Sequence, residues 1–294
     1  MKPVIASAVM AAVAVLAAPA LANPGPEVEI DDAVARVAVV VEDRTDIAVE
    51  IEQGSSGLPA LRVTRNGDDV RIDGGLRRRG LFGGSSMRNC RSGSGTGPSG
   101  EGASVEVRNV GRVDLSDAPL IVIRTPRAVD VDASGAVFGS VGRGASSVEL
   151  GNRGCGVWNV ANTEGPVSLS ISGTGDIRAG TSNTLEVGVS GAGAVTAGAT
   201  RELDASVSGV GDIVIARVDG PADISLSGAG DVTIRAGTIP TLSVSVSGVG
   251  DVEFDGVAGD VDASVSGAGS VRIARATGSV DRSVSGVGDI RIGN

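Results

Sequence analysis

The chain has 294 residues, 41% of them hydrophobic, and a formal net charge of −10: enough apolar content for a real core, and the wrong sign for nucleic acid or anionic lipid. It contains no histidine, which excludes Ser-His-Asp and Cys-His nucleophilic chemistry and histidine-bound zinc. Aromatic side chains make up 1%, so the core must be built from small aliphatic residues, which favours closely stacked strands.

Lys2, an apolar run from Val4 to Leu16 and small residues at Ala20 and Ala22 read as a secretory signal over residues 1–22. The run is short for a membrane span, so none is expected after signal cleavage. From 23 to 126 the pattern is a β-strand lead-in, with strands expected over 35–44, 47–53, 61–72, 103–110 and 119–126. Asn66 and Gly67, which both tolerate positive φ, sit between two alternating runs and suggest a tight hairpin turn.

Residues 77–102 are rich in Gly, Ser and Arg without apolar periodicity and read as a flexible loop. Arg77, Arg78 and Arg79 within it read as a solvated charge run rather than an anion site. The two cysteines, Cys90 and Cys155, would meet an oxidising compartment on export; a disulfide that clips this loop to the rest of the chain is expected. The alternative is two separate thiols, with Cys155 a small buried residue.

Residues 127–294 repeat. The position before the first glycine of each copy is Ser134, Arg153, Ser172, Ser190, Ser208, Ser227, Ser247, Ser266 and Ser285, at steps of 18 to 20 residues. One position before the serine stands an apolar column, Ile171, Val189, Val207, Leu226, Val246, Val265 and Val284. A second stands five positions after it, Ile177, Val195, Ile213, Val232, Val252, Val271 and Ile290. Like residues recurring at one coil length predict an all-β fold, a parallel β-helix (solenoid) of about nine coils.

The corner motif S-G-x-G-D has to be assigned to a role. Gly209, Gly211, Gly228, Gly230, Gly248 and Gly250 read as structural corner residues supplying unusual backbone angles. The residue between the glycines alternates, Ala192, Val210, Ala229, Val249, Ala268, Val287, which predicts small-over-large packing inside the corner. A dinucleotide loop would need a helix after the glycines, and a calcium β-roll a nine-residue period, so neither cofactor is expected.

The acids Asp176, Asp212, Asp231, Asp251 and Asp289 form a column of their own. They are expected to accept backbone N–H groups at their own bends; Asp212, Asp231 and Asp251 are also a candidate cation ladder of millimolar strength. Outward serine rows, Ser206, Ser225, Ser245, Ser264, Ser283 and Ser208, Ser227, Ser247, Ser266, Ser285, suggest a hydroxyl ladder along one face. In the last copy Arg282 replaces an inward apolar residue; with Asp281 and Arg291 it would blunt an open edge, the alternative being a homodimer through the C-terminal coil.

With a signal segment, a β lead-in and repeated "SGVGDV" and "SGAGDV" corners, the chain resembles the head GIN domain family (DUF2807), exported bacterial proteins described as autotransporter adhesin heads. The resemblance spans about residues 33–292 and implies a right-handed β-helix and an adhesin-like role, periplasmic, at the cell surface or secreted. The family carries no catalytic residues to transfer.

Two functions follow as expectations. One is a non-enzymatic exported scaffold or adhesin-like module whose partner is an envelope or surface ligand, a glycan or a protein. The other is a β-helix polysaccharide-active enzyme, which would need Arg178, Arg272 and Arg291 gathered beside the Asp column in one groove.

Overall fold

The computed structural model describes residues 25–76, 86–93 and 98–293. The expected signal at 1–22 and the arginines 77–79 lie outside the described residues. No helix among those residues is long and apolar enough to cross a membrane.

Alternating Val, Leu and Ile with Ser, Asp and Gly makes strands with one buried and one solvent face. These strands stack in parallel, coil upon coil, into a β-solenoid of about nine turns. A first sheet runs through Ser147–Asn152, Pro166–Ile171, Thr184–Val189, Glu202–Val207, Ala222–Leu226 and Val280–Val284. A second runs through Cys155–Val160, Thr174–Ala179, Val232–Ile234, Ser270–Ala276 and Asp289–Ile292. Longer strands such as Ala192–Thr200 and Val210–Val218 continue from the second sheet into a short third side.

Both apolar columns point inward as the periodicity requires. Ile171, Val189, Val207, Leu226, Val246 and Val265 are buried, as are Ile177, Val195, Ile213, Val232, Val252, Val271 and Ile290. Val284 is the exception, 47% exposed at the end of its column. The largest core side chain, Trp158, lies over Gly139, where a Cβ would press into the indole ring. Gly139, with no side chain, makes the space for the single tryptophan.

The strands of the lead-in join the same stack. Glu27–Val41 lies parallel on Ala128–Val141, and on its other side pairs with Asp69–Asp73 and Leu120–Thr125. Two antiparallel strands, Arg62–Asn66 and Ala48–Glu52, close this end. The hairpin forms one residue later than expected: Asn66 pairs with Asp69, so Gly67 and Asp68 make the turn, and Gly67 alone has positive φ, 64°. Within 77–102, expected as loop, Met87–Arg91 is a strand. It joins Ser104–Val107 and Gly111–Asp114 in a small antiparallel sheet.

Candidate functional site

The corner is governed by how closely successive backbones approach. A Cβ on Gly209 would collide with the carbonyl oxygen of Gly191, one on Gly211 with that of Gly193, and so on at Gly228, Gly230, Gly248 and Gly250. Only Gly230 and Gly250 of these six have φ in the left-handed range, at 140° and 147°. Steric exclusion by the coil below, more than unusual angles, is what requires glycine here.

This geometry reverses the expected orientation of the residue between the glycines. With both glycines facing the neighbouring coil, the side chain between them is directed outward: Val210 is 62% exposed, Val249 60% and Val287 85%. The residues remain in register, Val210 on Ala229, Ala229 on Val249 and Val249 on Ala268. The corner therefore carries an apolar ridge on its outside, not a packed layer inside.

Asp212, Asp231 and Asp251 do not bond at their own bends. Each Oδ1 instead accepts the backbone N–H at the same position one coil later: Asp231 N to Asp212 at 3.0 Å, Asp251 N to Asp231 at 2.8 Å, Ser270 N to Asp251 at 2.8 Å. Ser270 adds a hydroxyl bond to Asp251 at 2.7 Å, and Asp176 accepts from Ala194 N at 3.2 Å. Neighbouring carboxylates about 5 Å apart repel by roughly 0.8 kcal/mol in water, and charge-assisted bonds of this kind offset that. Among the described residues no three acidic or cysteine side chains are placed to hold a metal ion. A matching corner on the third side has Asp260 accepting from the amide and hydroxyl of Ser279, which hold its carboxyl below the usual range.

The serine rows stack in register, Ser206 on Ser225 and Ser225 on Ser245. Their hydroxyls do not form the expected ladder with one another; Ser206 and Ser227 make long bonds, 3.4 and 3.5 Å, to carbonyls of the preceding coil. Arg153 breaks the serine consensus because its guanidinium pairs with Asp132, 2.7 Å away. Arg272 stacks on Arg291, but their partners are Glu253 and Asp289, and Arg178 lies several coils distant on Asn159 and Thr196. The three arginines and the Asp column do not assemble into one groove.

Cys90 and Cys155 form a disulfide. Cys155 is itself the residue between two glycines, stacked between Ala136 and Thr174 in the column that continues to Ala192 and Val210. The disulfide thus fixes the small antiparallel sheet onto the first rungs of the corner ridge. There Val34, Ala136, Phe138 and Val157 point outward and are buried beneath Val105, Val107, Val113 and Leu115.

An acidic row on the first sheet escapes a reading aligned on the serines. Glu27, Asp130, Glu149, Ser168, Glu186, Asp204, Asp223, Ser243, Asp262 and Asp281 follow one another in register along the outer face. The signal was the polar position between the first two apolar residues of each copy, as in "VEL", "LEV" and "LDA". Asp130 sits in a shallow groove with Glu149, Ser168 and Glu186, and its carboxyl is pushed up to about 7 by burial and then by the charges of Glu149 and Glu27.

No curated protein matches the chain. The C-terminal coils, residues 220–294, match the family model described as "Putative auto-transporter adhesin, head GIN domain" (DUF2807), so the resemblance read from the repeated corners is shown for that part of the chain.

Proposed function

We propose that this chain is a non-enzymatic exported scaffold, an adhesin-like surface module of the cell envelope that binds a protein partner along its glycine corner. The observation that carries this reading is the continuity of the ridge. The column whose rungs Ala136 and Cys155 already hold one β-sheet against the solenoid continues in register as Val210, Ala229, Val249 and Ala268, with Val287 at the next corner, and its three valines are exposed. Apolar residues lined up on a rigid surface mark contact sites more often than isolated ones do. The ridge has no aromatic ring on which a sugar could stack, so a polypeptide suits it better than a glycan.

The family's description as an adhesin supports the same class of role. The test is retention of the purified protein on immobilised envelope fractions and on a glycan array. Wild type is expected to bind a protease-sensitive component of the envelope, and Val210→Ser, Val249→Ser and Val287→Ser together to weaken binding at least tenfold. Equal binding by the triple variant, or binding confined to glycans, would overturn the assignment.

A further inference from the structure

Among the described residues, the outermost strand at each end of the stack carries part of the core column without a further strand over it. The outermost strands of the first sheet are Arg62–Asn66, paired only with Asp69–Asp73, and Val280–Val284, paired only with Val252–Val265 among the described residues. One inward column runs from Val63 through Ile72 and Ile30 to Val265 and Val284. Its two terminal valines are 41% and 47% exposed, while Ile72, Ile30 and Val265 are buried. Unpaired strand edges beside open apolar surface are a template on which another chain can stack.

The neighbouring inward column behaves differently at its ends. It begins at Arg65 on Val70 and Val28, stays apolar through every coil, and ends with Ala263 on Arg282. Arg65 lies across its end of the stack and donates from Nη2 to the carbonyl of Ile47 at 2.9 Å. Arg282 occupies the place that Ala263, fully buried, holds one coil earlier. Arginine thus stands at both ends of one core column and nowhere between.

A second copy stacked head to tail would set Val284 on Val63 and extend both sheets, with Asp289–Ile292 meeting Ala48–Glu52. The same arrangement would bring the guanidiniums of Arg282 and Arg65 together, like charge against like and shielded from water. We propose that Arg65 and Arg282 are a matched pair of end caps that prevent a second copy of this chain from stacking end to end. Edge strands carrying inward-pointing charge are a known means of blocking such growth, and a head-to-tail contact that does not close would otherwise give filaments.

The test compares wild type with Arg65→Val/Arg282→Val by sedimentation velocity and electron microscopy, with circular dichroism as the check on folding. Wild type is expected to sediment as a monomer and the double variant as a concentration-dependent series of species, with rods in multiples of one length. Arg65→Lys/Arg282→Lys keeps both charges and should remain monomeric. Should the valine variant fail to fold, Arg65→Glu decides: it sets a carboxylate against Arg282 of the next copy and should produce head-to-tail association that dissolves in high salt. A wild type that already stacks, or a folded valine variant or Arg65→Glu variant that stays monomeric, overturns the proposal.

Discussion

Gly230→Ala and Val249→Ala together test the reading of the corner. At Gly230 an added Cβ enters the space of the Gly211 carbonyl and must also adopt a φ of 140°. Relief requires the coils to part, at the expense of bonds such as Gly211 N to Ala229 O and Ala229 N to Gly209 O, both 2.9 Å. Losing two backbone bonds costs about 2 kcal/mol, and the residual strain about 1 to 3 kcal/mol more, so Gly230→Ala should destabilise by about 3 to 5 kcal/mol. For a chain of this size that lowers the melting temperature by roughly 6 to 20 °C. Val249→Ala removes a side chain already 60% in water and should cost about 0.5 kcal/mol or less, whereas the same truncation inside a packed corner would cost about 2 kcal/mol. Urea denaturation followed by circular dichroism measures both. A loss above about 1.5 kcal/mol for Val249→Ala, or below about 1 kcal/mol for Gly230→Ala, would refute the outward ridge and the steric role of the glycines.

Three further outcomes follow. Asp231→Ala removes the acceptor for the Asp251 amide and should cost about 1 kcal/mol, with Asp231→Asn milder; because the Oδ1 atoms are engaged by amides, calcium at millimolar levels should leave the melting temperature of wild type unchanged, and a calcium-dependent rise would restore the cation ladder. The disulfide spans 65 residues, so Cys90→Ser/Cys155→Ser should cost about 2 to 4 kcal/mol and loosen the small sheet first, leaving the emission of buried Trp158 as in wild type; an early shift of that emission would mean the solenoid itself depends on the bond. Asp130 binds its proton more tightly folded than unfolded, so its contribution to stability is complete below about pH 4 and is lost as pH rises through about 7. Asp130→Asn should therefore be more stable than wild type at pH 8, by about 1 to 2 kcal/mol once its partial exposure is allowed for, and equal to it near pH 4; a pH-independent difference would contradict the burial argument.

The solenoid was legible because each coil repeats the same decisions: Val207, Leu226 and Val246 occupy one inward column, and a fixed repeat length leaves no other way to stack them. The orientation of Val249 was not, since a Val–Ala alternation fits interdigitation inside a corner as well as outside it. What decides it is the approach of Gly230 to Gly211, a tertiary distance that no single repeat contains. The acidic row was present in the sequence on the same outward face as the serines, but it stands four positions before the serine used for alignment, as Asp204 does before Ser208, outside the corner motif that drew the alignment. The participation of Glu27–Val41 in the stack could not be read from period, because it pairs with Leu120–Thr125 and Ala128–Val141 across long intervening segments of unrelated pattern.

The contact of each corner glycine with the carbonyl one coil below also bears on how such a chain changes length. Because Gly209, Gly228 and Gly248 each meet the preceding coil in the same way, the corner of one coil fits the corner of the next throughout these repeats. A unit duplicated or deleted among them would leave its two new neighbours with the same corner contacts as before. The stack can therefore lengthen or shorten by about 4.8 Å at a time without redesigning its corner, while the display on its outside is edited one rung at a time.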